Sequence, residues 1–127
     1  MAAVVTLTEE TFGVIKKIKW EWTAHTDGKV AITTANAVTT KAYAGEIIRL
    51  VTDPDGVSAP SADYDVYVYD GDSVDALMGG GKNRHTANTE QVAGGNFPMG
   101  FVANDTLTLY VENAGSGGKG TVYLYIR

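Results

Sequence analysis

Along most of this chain apolar residues recur at every second position. In "VIKKIKWEW" (residues 14–22), Ile18, Trp20 and Trp22 share one face, while Lys17, Lys19 and Glu21 share the other. A period of two is that of a strand with one buried face. The same alternation returns in "GKVAITT" from Gly28, "EIIRLVT" from Glu46, "YDVYVYD" from Tyr64, "DTLTLYVEN" from Asp105 and "GTVYLYIR" from Gly120. "VVTLT" from Val4 adds a further short strand. The Asp-Gly of "HTDG" (25–28) predicts a hairpin between the runs on either side of it. "DPDG" (53–56) ends the Glu46 run, and "AGSGGK" (114–119) predicts that the last two strands form an antiparallel hairpin. The expected core is Ile18, Trp20, Trp22, Leu50, Val66, Val68, Leu107, Leu109, Leu124 and Ile126.

Helix has little place in this pattern. Only Asp72 to Leu77 could close a helical turn, capped by Asp72 or Ser73. Residues 79–100 show no period and contain six glycines, which predicts a long glycine-rich loop of the kind that carries partner contacts. No repeat, linker or composition shift divides the chain. The expectation is an all-β protein: one antiparallel β-sandwich or small barrel over residues 1–127, with about 7–8 strands. Residues 1–13 form either an N-terminal arm or an edge strand of it.

Composition narrows the function classes. A chain of 127 residues, 44% apolar and 20% charged, can bury a core of its own. Its net charge of −5 argues against a nucleic-acid partner, because phosphate neutralisation needs clustered cations. Lys16, Lys17 and Lys19 lie close together but inside a strand pattern, and read as a solvated strand face. There is no cysteine, which removes disulfides and thiolate metal sites. The first residues lack a basic region followed by a long apolar run, and no segment approaches the length needed to cross a bilayer. A soluble protein made in the cytoplasm, with no membrane partner, is expected.

The stretch that most resembles chemistry is "DYDVYVYDGDSVDALMGGGKNR", from Asp63 to Arg84. A phosphate loop would need a glycine five residues before Gly81 and a Ser or Thr after Lys82. Ala76 and Asn83 stand there instead. Calcium would suit Asp70, Asp72 and Asp75, but an EF-hand-type loop requires glycine at its sixth position and an acid at its twelfth. Counted from Asp70, those places hold Asp75 and Gly81. The simpler reading is a strand that ends in an Asp-Gly turn. His25 and His85 lie in turns without metal-ligand spacing, and no serine sits in a nucleophile elbow. These absences predict a protein that is not an enzyme, with no catalytic residue, no metal and no cofactor.

Tyrosine is the unusual feature. If the aliphatic residues of each strand face the core, then Tyr67, Tyr69, Tyr110, Tyr123 and Tyr125 face outward. Should their strands be neighbours, they form one aromatic contact surface, suited to protein binding because tyrosine buries area at little rotamer cost. Lys82 and Arg84, in the adjoining loop, are candidates for the same interface. An alternative is a carbohydrate-binding sandwich or other adhesion module that uses Trp or Tyr rings as stacking platforms.

The order of four segments carries a resemblance: "IKKIKWEWTA", "AYAGEIIRLVTDP", "DYDVYVYDGDSVDALMGGGKNR" and "NDTLTLYVENAGSGGKGTVYLYIR". Together they resemble small β-rich structural proteins of tailed bacteriophages, over roughly residues 14–127. Tyr67 and Tyr69 depart from the smaller polar residues expected at those places. The resemblance implies a virion component that binds the major capsid protein as a decoration (cement) protein, or alternatively serves in head completion or the tail. It implies no catalytic residues. A homo-oligomer is expected, with a trimer as the first expectation, since shells offer threefold positions.

Overall fold

The computed structural model describes residues 1–93 and 99–127, and the described residues contain eight strands and no helix. Strands β1 (Val4–Phe12), β2 (Ile15–Thr23), β3 (Tyr43–Pro54), β5 (Glu90–Ala93), β6 (Phe101–Asp105) and β8 (Lys119–Ile126) make one sheet. Its order is β1-β2-β8-β3, with β5 beside the second half of β3 and β6 beside the first half. Strands β4 (Asp65–Tyr69) and β7 (Thr108–Glu112) pair in a second sheet. Isolated bridges from Val30 and Val38 to β7, and from Tyr64 and Tyr69 to Arg84 and Asp75, extend that layer on both sides.

The result is an antiparallel sandwich, not a closed barrel. From β2 onward the chain passes back and forth between layers. Residues 30–38 lie in the second, β3 in the first, β4 and 75–84 in the second, β5 and β6 in the first, β7 in the second and β8 in the first. This is the double Greek-key connectivity of a jelly roll. The expected arm at residues 1–13 is an edge strand: β1 pairs along its whole length with β2. Gly13, at φ 60°, supplies the left-handed residue that lets the chain reverse between Phe12 and Ile15.

All ten residues expected in the core are buried, Trp22 at 2% exposure and the others at 0%. Trp20 also fastens the layers. Its Nε1 donates to the Ala37 carbonyl at 3.0 Å, and the same carbonyl accepts the Leu109 amide at 2.9 Å. Glu9 ties the outer strand β1 to the segment before β3. Its carboxylate accepts from the Thr40 amide and hydroxyl, the Lys41 amide and the Tyr43 hydroxyl.

Both predicted hairpins are corrected. The turn at "HTDG" forms, with the Gly28 amide donating to the His25 carbonyl at 2.9 Å. It sends the chain into the other layer, however, where Val30 bridges Val111. Likewise β7 pairs with β4, whereas β8 pairs with β2 and β3. The "AGSGGK" segment therefore crosses between sheets. The reason is packing: Leu109 and Val111 share one buried core with Val122, Leu124 and Ile126, and alternation looks the same whether two strands are neighbours or face each other across it.

The predicted helical turn at 72–77 is also replaced, by turns that two carboxylates hold. Asp70 accepts the amides of Asp72 and Val74, and Asp75 accepts those of Val68, Leu77 and Gly79. The glycine run then has a structural use. Gly81 lies against β4 and its carbonyl accepts the Val66 amide at 2.8 Å. A Cβ at Gly81 would run into the Val66 carbonyl. The predicted 79–100 loop therefore carries a ladder neighbour of β4 at its start and β5 further along, while residues 94–98 within it lie outside the described residues.

Candidate functional site

The five outward tyrosines fall on two faces, not one. Tyr67 and Tyr69 on β4 and Tyr110 on β7 crown the second sheet, and Tyr123 and Tyr125 on β8 lie on the outer face of the first sheet. The core separates them. A single patch needed β8 beside β4 or β7, and the interlayer crossing after Asn113 prevents it.

On the second sheet the three rings touch. Tyr67 and Tyr69, on one face of β4, have parallel rings with centroids 5.9 Å apart, and Tyr110 tilts 42° against both at 5.6 and 6.0 Å. Glu112, two residues beyond Tyr110 on the same strand face, holds the group together. Its carboxylate accepts the Tyr67 hydroxyl at 3.0 Å and the Tyr110 hydroxyl at 3.1 Å. Desolvation, and then the Glu112 carboxylate, push both phenols up to about 12. Tyr69 is raised by desolvation and by the charges of Asp75 and Glu112. Beside Tyr67 on the same face of β4, Asp65, 9% exposed, accepts the Asn83 amide and the Asn113 side-chain amide, which ties the 81–84 segment to β4 and to the end of β7.

A shallow cleft of about 440 Å³ opens beside the rings, lined by Ala31, Ile32, Tyr69, Asp70, Thr108 and Tyr110. Ile32 and Val74 stand more than half exposed near it. Lys82 reaches over the Tyr67 ring with Nζ 5.8 Å from its centroid. Arg84 is used otherwise. Its guanidinium pairs with Glu90 at 3.6 Å and donates to the Lys82 carbonyl, and its side chain is only 16% exposed. It braces the loop.

The other face is basic. Cross-strand register sets Lys17 and Arg49 on either side of Tyr125, and Lys19 and Val51 on either side of Tyr123. Lys17 Nζ lies 5.3 Å from the Tyr123 centroid and 5.8 Å from that of Tyr125, and the Arg49 guanidinium 5.1 Å from Tyr125. Sequence reasoning had Lys17 and Lys19 on a common strand face but missed Arg49, because only the pairing of β8 with both β2 and β3 brings the cations together. It also missed Glu112, although its i+2 spacing from Tyr110 was there to read.

Neither tryptophan can be a sugar platform, since Trp20 and Trp22 are buried. Asp70 and Asp75 are turned into their own backbone, and among the described residues no group of three His, Asp or Glu side chains is arranged to hold a metal ion. No helix of the described residues is long and apolar enough to cross a membrane. In comparisons with known proteins, no family model, no curated protein and no solved structure matches this chain.

Proposed function

We propose that this chain is a non-enzymatic structural protein that works by binding another protein's surface, as a decoration protein on the shell of a tailed-phage particle with the major capsid protein as its partner. A jelly roll hosts many activities, so the argument rests on the site and not on the fold. The observation that carries it is the Tyr67–Tyr69–Tyr110 cluster. Three half-buried rings stand prearranged by Glu112 beside exposed Ile32 and Val74. Rings already held in place lose little entropy on docking, and aromatic anchors in a preformed patch dominate interface energies. The phage-like order of the strand and turn motifs supplies the shell as the surface.

The test uses Tyr67→Ser with Tyr110→Ser, since both rings lie on one layer. The expected result is loss of co-sedimentation with empty capsids of the phage that encodes the chain, with the fold retained in circular dichroism. Light scattering reports whether the free protein is the expected trimer. Wild-type protein that never sediments with capsids would overturn the shell reading. A glycan array that lights up and goes dark in the double variant would turn it toward the carbohydrate-binding alternative.

A further inference from the structure

We infer that the opposite face, Tyr123 and Tyr125 with Lys17, Lys19 and Arg49, is a second docking surface whose partner is an acidic, extended protein segment. The inference stands independently of the shell reading. The chain as a whole carries −5, yet three of its ten cations converge on two neighbouring rings of this sheet face. Each cation lies over a ring, which holds it outward and strips part of its hydration without neutralising it. Among the described residues Lys17 and Arg49 take part in no ion pair, and Lys19 has only an exposed one with Glu21 at 3.8 Å. Arg49 spends Nε on Gln91 at 2.9 Å, which fixes the guanidinium plane and leaves its terminal nitrogens for a bidentate carboxylate.

The size of the surface selects the partner. Lys17 and Lys19 are two apart on one strand, so their places lie about 7 Å apart, the spacing of alternate side chains on an extended segment. Acidic residues bound the cationic area: Glu10 is the cross-strand partner of Lys17, and Glu21 and Asp53 flank Thr121 in the next row. A nucleic-acid backbone would have to run over those carboxylates. A short segment with two carboxylates would not. A second copy is a poorer occupant, because its acidic tyrosine face lies on the opposite layer, and stacking one face on the other would repeat without closing.

The experiment is an NMR titration of the full-length labelled protein with a short blocked peptide that carries two aspartates separated by one residue. Binding should shift the resonances of Lys17, Lys19, Arg49, Tyr123 and Tyr125 and weaken as salt is raised. The double variant Lys17→Gln with Arg49→Gln should bind about tenfold more weakly. The inference is overturned if nothing binds at millimolar peptide, or if the asparagine twin of the peptide binds equally well. It is also overturned if the shifts map to another face, or if a thymidine oligonucleotide binds more tightly than the peptide. Concentration-dependent self-association that the double variant abolishes would overturn it in favour of a second copy.

Discussion

Replacing Trp20 with alanine tests the architecture at its most constrained point. The indole is fully buried and lies on β2, in the first layer, while its Nε1 bonds the Ala37 carbonyl of the second. Removing a buried Trp side chain costs about 3–5 kcal/mol through lost transfer energy and the cavity left behind. The lost hydrogen bond adds about 1 kcal/mol, and no more, because the Ala37 carbonyl keeps the Leu109 amide. The sum, about 4–6 kcal/mol, is a large part of a small domain's stability. For 127 residues the unfolding entropy is about 0.27 kcal/mol/K, so the Tm should fall by about 15–22 °C. Trp20→Phe keeps most of the volume but no donor, and should lose only about 1–2 kcal/mol. Thermal unfolding followed by near-ultraviolet circular dichroism measures both. A Trp20→Ala protein that melts within about 5 °C of wild type would refute the buried interlayer role. So would a Phe variant as unstable as the Ala variant.

Three further outcomes follow from the carboxylates. Tyr67 and Tyr110 titrate near 12, above the ordinary phenol value of 10.0. A raised folded-state value means that the folded chain keeps protons the unfolded chain releases, so their stabilising effect is complete below pH 10 and is lost as pH rises through about 12. Glu112→Gln should move part of the tyrosinate absorbance change to lower pH, and an unchanged titration curve would refute the shared hydrogen bonds. Asp75→Ala should destabilise by about 2–3 kcal/mol, because it orphans the Val68, Leu77 and Gly79 amides. Wild-type melts with and without calcium should coincide, and a stabilising shift of several degrees that Asp72→Ala removes would instead mark an ion site.

What local sequence determined here is the inside and outside of each strand. Alternation is a property of one strand's pleat, so Ile18, Trp20, Val66, Leu109 and Leu124 could be assigned to the core, and the five tyrosines to the outside, before any partner was known. Turn chemistry was equally local: the Asp-Gly of "HTDG" and the Asp55 turn form where expected, the latter with Asp55 accepting the Val57 and Ser58 amides. Even the failure of "GGGK" as a phosphate loop was legible from its spacing.

What only the tertiary structure decided is which strands lie side by side. Pairing depends on which apolar faces close over one another, and a period of two is satisfied equally by a neighbour in the sheet and by a strand across the core. That ambiguity placed β7 and β8 in one expected hairpin, although they belong to opposite layers. It also joined Tyr67, Tyr69 and Tyr110 with Tyr123 and Tyr125 in one expected patch. The layered arrangement gives the first three a carboxylate, Glu112, and the last two a ring of cations from β2 and β3. The chemical difference between the two tyrosine faces exists only across strands, where distant parts of the chain meet.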